Sequence, residues 1–412
     1  MPGQLVAQGA AAIRHLKGLG CHDPVLVFYH PIASYNPYQS LLYGQMWEHG
    51  AAAIPLHDLD ELPDIAALTR TGAHVVLHLH WTNKVLEGAA TDEAARERML
   101  AFLGQLDAFR SAGGHLVWTI HNVLPHDCER PGLEAELQQA IVDRCDLVHV
   151  LSANTSEVVA EWFSVPATKT LHVPHPSYGG AYVDTISRTE ARYELGIAPD
   201  ETVYALLGAI KPYKGADRLL DAFDVLCERD PARRRLIVAG LPDRTGAVEP
   251  FLERCELHPF VKLFARRILP EEMPVFLRAA DIVVLPYLRV LNSGVLMLAL
   301  TFGLPVVAPA VGGLAETLTP AVGRTFPADE DDGLLEALIS ADELRTEAAR
   351  SAALALALQR DPRILSAAFA SSLTARVRGT DDGRGSLAAT SGEGARPRTS
   401  RPRKPTGTAT RA

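Results

Sequence analysis

Cysteine is scarce in this chain and follows no pattern. The five cysteines lie at positions 21, 128, 145, 227 and 255, and no two of them form a C-x-x-C pair. An odd, unpatterned set of this kind is typical of free thiols in a reducing compartment. We therefore expect a cytoplasmic protein.

Long apolar runs and strong positive charge are also missing. No uninterrupted apolar stretch reaches membrane-spanning length, and the alanine-rich residues 1–19 contain Gln, Arg, His and Lys, unlike a signal peptide. The net charge of −9 and the pI near 5.9 argue against a general nucleic-acid binder. Of the ways in which the protein could associate with a membrane, only a peripheral contact is compatible with these features.

Two common catalytic fingerprints do not occur in the sequence. No predicted strand is followed by G-x-G-x-x-G, the phosphate-binding turn of dinucleotide enzymes, which argues against a dehydrogenase. No G-x-S-x-G elbow is present either, so the sequence does not indicate a Ser-His-Asp nucleophile.

Short apolar runs alternate with helical stretches along most of the chain. Its 412 residues, 47% of them hydrophobic, are enough for two domains. The alternation runs from residue 25 to about 173 and restarts at residue 202, after a Pro- and Gly-rich stretch at 173–182. This pattern predicts parallel sheets with right-handed crossovers. We expect an α/β protein of two Rossmann-like domains.

The predicted boundaries follow the shifts in this pattern. The first domain covers 1–173, a linker 174–190, the second domain 191–360, and a further helix at 361–377 can cross back to the first domain. Within the domains, continuous helical stretches are predicted at 38–49, 155–163 and 333–358. Residues 378–412 are mostly Gly, Ser, Thr, Pro and Arg, which predicts a disordered tail.

One stretch, residues 286–309, reads as strand end, loop, helix and strand. Asn292, Ser293 and Gly294 open its helix; Asn and Ser are good N-caps, and glycine lets a ligand approach the backbone. The free amides of a helix start, together with the helix dipole, form a site for an anion. The stretch is either an ordinary capped core helix or the seat of a diphosphate, such as that of a nucleotide sugar.

The second half opens with a strand followed by G-A-I-K-P-Y-K-G, residues 208–215. Gly208 lets a ligand approach the end of the strand, and Pro212 disfavours helix at the residue before it. Ligands of open α/β sheets bind at the carboxyl ends of the strands, and the ammonium groups of Lys211 and Lys214 suit a diphosphate. The alternative is a pair of solvated surface lysines.

Taken together, these residues resemble the GT-B glycosyltransferases, in particular the large family-four-like group that includes bacterial exopolysaccharide enzymes. The motifs are K-P-Y-K-G at 211–215, G-L-P-V-V at 303–307, and G-G at 312–313 followed by Glu316. The resemblance covers residues 25 to about 375. It implies two domains facing across a cleft, with the acceptor on the first and a nucleoside diphosphate sugar on the second.

The resemblance also implies the reaction. A hexosyl group would pass from the nucleotide sugar to a hydroxyl of a glycan, a lipid-linked saccharide or a small molecule. No cofactor and no essential metal are implied, because the family holds the diphosphate with amides and basic side chains. Residues 208, 211, 214 and 292–294 would then bind the donor.

Two positions depart from the family pattern. The paired glutamates of the family would fall at Val290 and Leu298, and neither residue is acidic. The second glutamate normally holds the nucleotide ribose, and Glu316 is one substitute for it. Inverting relatives lack the pair more often, so both a retaining and an inverting reaction stay open.

Three polar strand ends in the first half carry the candidates for acceptor binding and catalysis. The predicted acceptor-binding residues are Asn36, Tyr38, His80, Trp81 and His126, and the predicted catalytic residues are His121 and Asp127. In an inverting transfer a carboxylate or an imidazole must take the proton of the acceptor hydroxyl.

We predict that Asp127 is this base and that His121 positions a sugar. His126 or His80 could serve instead of Asp127, and Asp127 could simply cap a helix. In a retaining enzyme no such base is needed. The histidines include ligand types that bind metals, but the resemblance argues against a metal site.

Two functions of other classes also stay open. A GT-B epimerase of the sugar-2-epimerase type would share both domains but would need more carboxylates in the cleft. A non-catalytic binder of sugar nucleotides is favoured by the missing glutamates at residues 290 and 298.

Overall fold

The first half of the chain forms a parallel sheet of six strands. The computed structural model describes residues 3–229 and 234–379, so the predicted tail from residue 380 lies outside the described residues. Strands β1 to β6 are Val25–His30, Ala51–Pro55, His74–Leu79, His115–Ile120, Leu147–Val150 and Thr170–His172. Their order across the sheet is β2-β1-β3-β4-β5-β6, and every pairing is parallel.

Helices cover both faces of this sheet. Helices α1 to α6 are Gly3–Gly18, Tyr38–Tyr43, Leu62–Ala66, Asp92–Ser111, Pro131–Arg144 and Thr155–Val158. The residues of β1 alternate between the two faces, because successive side chains of a strand point to opposite sides. Leu26 and Phe28 join the core under α1, α3, α4 and α5, whereas Val25 and Val27 join the core under α2.

The second half repeats the architecture. Strands β7 to β12 are Thr202–Leu207, Arg234–Ala239, Val261–Phe264, Ile282–Val284, Val306–Pro309 and Gly323–Phe326. Their order is β12-β11-β10-β7-β8-β9, again with parallel pairs throughout. Helices α7 to α15 are Arg188–Glu194, Ala216–Arg229, Glu249–Leu257, Met273–Ala279, Gly294–Thr301, Gly312–Thr317, Asp331–Ala341, Glu347–Leu358 and Pro362–Val377.

Three of the predicted helices are shorter or broken. The stretch predicted as helix at 38–49 is α2 followed by a 3₁₀ turn at Met46–His49, and the 155–163 stretch keeps only α6. The 333–358 stretch is divided by a 3₁₀ turn at Asp342–Leu344. At the first break the amide of Gln45 donates to the Ser366 hydroxyl at 2.9 Å, so a tertiary contact replaces a helical bond.

The last helix, α15, packs on the first domain rather than on the second. Leu365, Phe369 and Leu373 are buried in the same core as Val25 and Val27. The Ser366 hydroxyl donates to the carbonyl of Leu42 at 2.7 Å, which ties α15 to α2. Among the helices of the described part of the chain, none combines the length and the apolar character needed to cross a bilayer.

A buried carboxylate holds the second domain together where α7 meets the sheet. Asp281 is 4% exposed and accepts hydrogen bonds from Arg192 at 2.7 Å, from Arg188 at 2.5 Å and from the amide of Val203 at 2.9 Å. Arg192 is itself 3% exposed. Removing one partner of a buried ion pair leaves the other charge uncompensated in a region of low dielectric constant.

We predict that Asp281→Ala lowers the free energy of unfolding by about 3–5 kcal/mol, measured by urea denaturation. Asp184→Ala is the matched control, because Asp184 pairs with Arg278 at the surface. Surface ion pairs contribute about 1 kcal/mol or less, so the control should shift stability little. Equal losses in the two variants would contradict the role assigned to burial.

Candidate functional site

A cavity of about 450 Å³ lies between the carboxyl ends of the two sheets. The first domain contributes the loops after β1, β3 and β4, and the second contributes the loop after β7 and the start of α11. Lining residues that carry the argument below are Asn36, Tyr38, Trp81, His121, Asp127, Glu134, Lys211, Tyr213, Asn292 and Gly294. The topology therefore brings residues from distant parts of the chain to one cleft.

The K-P-Y-K-G motif forms a tight loop after β7. Lys211 is extended, with φ −133° and ψ 152°, as expected for a residue before proline, and residues Pro212–Lys214 form a 3₁₀ turn. Gly215 ends the turn at φ 62°, and a Cβ there would lie 2.1 Å from the carbonyl oxygen of Pro286. Only glycine fits this left-handed position, so Gly215 sets how the two lysines project.

Lys214 is a buried cation without an acidic partner. It is 8% exposed, and its ammonium lies 5.4 Å from the centre of the Tyr287 ring. Within residues 3–229 and 234–379, no carboxylate comes within salt-bridge distance of it. A Cβ on Gly208 would lie 3.1 Å from the Lys214 Nζ atom and 3.6 Å from Val295. Gly208 therefore separates this ammonium from the first turn of α11.

The start of α11 adds further unused donors. The Ser293 hydroxyl accepts from the amide of Leu296 and caps the helix, as the sequence predicts. The first amides of a helix have no intrahelical partner. The buried Asn292 Nδ2 atom also lacks a hydrogen-bond partner in the described part of the protein. At Gly294 a Cβ would lie 2.6 Å from the Tyr178 hydroxyl, so this position has little space for a side chain.

Two residues after β4 reach across the cleft to the lysine loop. The Lys211 ammonium lies 2.5 Å from an Asp127 carboxylate oxygen and 4.0 Å from Asp243. The His126 ring stacks on Tyr213 at 3.6 Å and 6°. Burial, more than any neighbouring charge, lowers the pKa of His126 to about 4, so this imidazole is neutral at physiological pH.

The structure gives Asp127 and Glu316 protein partners. Asp127 stays largely exposed, with 66% of its side chain accessible, although it pairs with Lys211. The Glu316 carboxylate accepts from the amides of Ala153 at 2.7 Å and Asn154 at 3.3 Å, which joins α12 to the loop before α6. Both amides bond to Glu316 Oε2, and the ribose contact of Glu316 stays a prediction.

His121 faces the cleft, whereas His80 does not. The His121 ring stacks on Trp81 at 4.2 Å and 18° and meets the edge of Tyr38 at 5.2 Å. His80 is 1% exposed and lies behind His121, with 3.0 Å between its Nδ1 atom and His121 Nε2. His121 thus lies between His80 and the cleft, and the acceptor contact of His80 stays a prediction.

Asn36 and Tyr38 lie at the junction of the two domains. The Asn36 side-chain oxygen accepts from the amide of Tyr38 at 3.0 Å and from the hydroxyl of Tyr178, in the linker, at 3.1 Å. Tyr38 is 1% exposed and its ring packs 5.0 Å from His175. Asn36 and Tyr38 both line the cavity, and their acceptor contacts stay predictions.

Sequence reasoning missed one acidic residue, Glu134 on α5. It is 4% exposed, lines the cavity, and its Oε2 atom has no hydrogen-bond partner among the described residues. Burial raises the pKa of Glu134 to about 7. One helical turn later, Gln138 has an unpartnered buried oxygen as well. Two polar residues four positions apart on an otherwise apolar helix face were the available signal.

The side chains that could bind metal are not arranged for it. In the described ranges, no group of three or more His, Cys, Asp or Glu side chains has the arrangement of a metal site. The histidines behind the cleft bond to one another and to hydroxyl groups instead.

Part of the second domain resembles a known family, and longer stretches of the chain resemble individual enzymes. Residues 187–353 match the family described as glycosyl transferases group 1. The chain is 28% identical over 336 residues to the GDP-mannose:glycolipid 4-beta-D-mannosyltransferase of Xanthomonas campestris pv. campestris, covering 76% of this chain and 82% of that enzyme. It is 29% identical over 257 residues to the D-inositol 3-phosphate glycosyltransferase of Geodermatophilus obscurus, covering 58% of this chain but only 56% of that protein.

Solved structures share the fold. HepE of Anabaena, determined in complex with UDP, matches 85% of this chain and 100% of its own with a TM-score of 0.62 at 16% identity. Sucrose-phosphate synthase of Thermosynechococcus elongatus matches 87% of this chain and 100% of its own with a TM-score of 0.61 at 17% identity. The predicted fold class is thereby confirmed. The chain therefore has the GT-B fold, and its residues 187–353 resemble the group 1 glycosyl transferases.

Proposed function

We propose that the protein transfers a hexosyl group from a nucleoside diphosphate sugar to a hydroxyl of a saccharide acceptor. The observation that carries this proposal is the buried, unpaired Lys214 ammonium beside the start of α11. Lys214, the helix amides and the free Asn292 amide group all donate hydrogen bonds, and they lie around Gly208 and Gly294. A diphosphate is the ligand that satisfies such a set.

The relatives support a nucleotide-sugar donor and a saccharide acceptor. They include a GDP-mannose-dependent enzyme acting on a glycolipid and HepE, which was determined in complex with UDP-glucose. We propose a glycan or lipid-linked saccharide as acceptor here, in the assembly of a polysaccharide. A lipid-linked acceptor would require the protein to work in the cytoplasm at the membrane surface.

We propose that the lysines and amides balance the charge of the diphosphate without a metal. Lys211 is free to contribute only when it leaves Asp127, because its ammonium is paired with that carboxylate. Donor binding and release of Asp127 are therefore coupled. Lys214 has no such competitor and should contribute the larger part of the affinity.

We propose that the transfer is a direct displacement in the cleft between the two domains. The acceptor oxygen attacks the anomeric carbon, the bond from that carbon to the diphosphate oxygen breaks, and the nucleoside diphosphate leaves with the electron pair. The proton of the acceptor hydroxyl passes to a base. In a direct displacement this base must lie on the side of the sugar opposite the diphosphate.

The contacts support Glu134 over Asp127 as this base. Asp127 lies 2.5 Å from Lys211, which we assign to the diphosphate. Glu134 lies in the first-domain wall with one carboxylate oxygen free, and burial raises its pKa to about 7, close to the working pH. We therefore assign proton transfer to Glu134 and the holding of Lys211 to Asp127.

We predict that Lys214→Ala weakens GDP and UDP binding about tenfold or more, because one charge-assisted contact contributes about 1.5–3 kcal/mol. Titration calorimetry in buffer with EDTA measures this and also tests the absence of a metal requirement. Lys17→Ala removes a surface lysine of α1 and should leave binding unchanged. Equal affinity of wild type and Lys214→Ala, or binding only after Mg²⁺ is added, would contradict the proposal.

Turnover measurements distinguish a transferase from an epimerase and from a non-catalytic binder. A transferase releases nucleoside diphosphate only when acceptor is present, an epimerase converts the sugar nucleotide without acceptor, and a binder does neither. The reaction is followed with GDP-mannose and UDP-glucose as donors, with and without a lipid-linked saccharide.

We predict that Glu134→Gln lowers kcat about 10²–10⁴-fold with donor affinity within about twofold, because it removes the base and keeps the size of the side chain. In the wild type, kcat/KM should rise with pH through about 7, since the carboxyl group must lose its proton to act. This rise of kcat/KM with pH should be absent in Glu134→Gln.

Asp127→Asn is the companion variant for the base assignment. It should keep most of kcat and bind nucleoside diphosphate slightly more tightly, because Lys211 no longer has to leave a carboxylate. Near-normal turnover of Glu134→Gln with loss of turnover in Asp127→Asn would return the role of base to Asp127.

A further inference from the structure

A continuous line of hydrogen bonds runs through the core behind the cleft and begins at a backbone carbonyl. His149 Nε2 lies 2.9 Å from the carbonyl oxygen of Val173, and His149 Nδ1 lies 2.9 Å from the Thr119 hydroxyl. The same hydroxyl lies 2.7 Å from His78 Nε2. His78, Thr119 and His149 are all 0% exposed.

The line continues from His78 to the surface of the cleft. The Tyr43 hydroxyl lies 2.8 Å from His78 Nδ1 and 2.7 Å from His80 Nε2. His80 Nδ1 then lies 3.0 Å from His121 Nε2. His121 lines the cavity, so six side chains connect the Val173 carbonyl to the substrate cleft.

Every imidazole in this line is neutral. Burial lowers the pKa of His149 to about 4 and lowers the pKa of His78, His80 and His121 well below the ordinary value. Nearby imidazoles lower the pKa of each of these groups further. A neutral imidazole has one N–H and one lone pair, so each ring donates once and accepts once.

The carbonyl at the start sets the direction of the first three bonds. Val173 can only accept, so His149 carries its proton on Nε2 and its Nδ1 atom is an acceptor. The Thr119 hydroxyl must donate its proton to that Nδ1 atom. Its oxygen then accepts from His78, which therefore also carries its proton on Nε2.

The remaining bonds follow in the same direction. The Tyr43 hydroxyl donates to the free His78 Nδ1 atom and accepts from His80 Nε2. His80 Nδ1 accepts from His121 Nε2. His121 is left with an unprotonated Nδ1 atom, to which no group in residues 3–229 or 234–379 is hydrogen-bonded.

The line is not suited to carrying a proton away. A proton accepted at His121 and relayed inward would end on His149, which is fully buried and whose Nε2 proton already bonds to a carbonyl. A carbonyl cannot take the proton, and a buried imidazolium is costly. The line therefore fixes tautomers rather than moving protons.

We propose that Tyr43, His78, His80, Thr119 and His149 are positioning residues that hold His121 in its Nε2–H tautomer, so that its Nδ1 lone pair accepts a hydrogen bond from a sugar hydroxyl in the cleft. The stack on Trp81 and the edge contact with Tyr38 hold the plane of the ring. The sugar contact rests on the proposed function, whereas the tautomer is a property of the protein without substrate.

Thr119→Val tests the direction of the line, because valine has the shape of threonine without the hydroxyl. The variant breaks the line of hydrogen bonds between His149 and His78, so that His78 is no longer connected to the Val173 carbonyl. His78 Nε2 then has no partner. An unpaired buried N–H costs more than an unpaired lone pair, and the proton of His78 should therefore move to Nδ1. Tyr43, His80 and His121 then reverse their bonds, and His121 presents an N–H to the cleft. Thr119→Ser keeps the hydroxyl and is the matched control.

Histidine-selective ¹⁵N NMR of the full-length protein without substrate reads the tautomer directly. The His121 signals are assigned by their loss in His121→Gln. We expect the Nε2–H form in the wild type and in Thr119→Ser, and the Nδ1–H form in Thr119→Val. An Nδ1–H form in the wild type, or the same form in wild type and Thr119→Val, would overturn the proposal.

A second pair of variants keeps the test decisive if Thr119→Val does not fold. Tyr43→Phe removes the hydroxyl that joins His78 to His80, whereas Tyr29→Phe removes the hydroxyl of the adjacent ring, 4.7 Å from Tyr43, which takes no part in the line. Tyr43→Phe should yield mixed His121 tautomers, and Tyr29→Phe should resemble the wild type. A single Nε2–H form in Tyr43→Phe would contradict the proposal.

Binding measurements distinguish whether His121 contacts the donor sugar or the acceptor. If it is the donor sugar, Thr119→Val should weaken GDP-mannose or UDP-glucose about two- to tenfold while GDP and UDP bind as in the wild type. If it is the acceptor, donor affinity should be unchanged and the acceptor KM should rise by a similar factor. A switched tautomer with neither change would show that His121 does not accept from a sugar hydroxyl, whether or not the protein is a transferase.

Discussion

The packing of α15 against the first domain governs the site, because it keeps water away from the residues behind the cleft. Phe369 is fully buried, stacks on His78 at 5.4 Å and 19°, and lies 4.9 Å from the His149 ring. In such surroundings imidazoles stay neutral and hydrogen bonds are stronger than in water. Helix α15, at the end of the described chain, thus keeps the histidines of the first domain neutral.

The two lysines of one short motif are held in different ways, and this difference shapes donor binding. Lys211 is paired with a carboxylate from the opposite domain, whereas Lys214 is buried against Tyr287 and has no acidic partner in the described part of the chain. A diphosphate bound as we propose would compete with Asp127 for the first ammonium but not for the second.

The departure from the family pattern has a structural counterpart. The residue in the place of the second family glutamate, Leu298, is 6% exposed and belongs to the core around α11, so this helix offers the ligand its amino end rather than a carboxylate. Acidic groups appear instead on the first domain, at Asp127 and Glu134, which line the cavity. Carboxylates at these positions are better placed to act as a base on the acceptor than to bind the donor ribose.

The sequence by itself determined the alternation of strands and helices, the lysine loop after β7 and the capped start of α11, because each depends on local patterning, on proline and glycine, or on a capping side chain. The tertiary structure alone decided that His80 is buried, that Lys211 meets Asp127, and that Glu134 lines the cleft with a buried oxygen that has no partner among the described residues. These properties depend on which residues from distant parts of the chain exclude water from one another. No local pattern encodes that exclusion, and it sets which side chain is charged, neutral or free to bind.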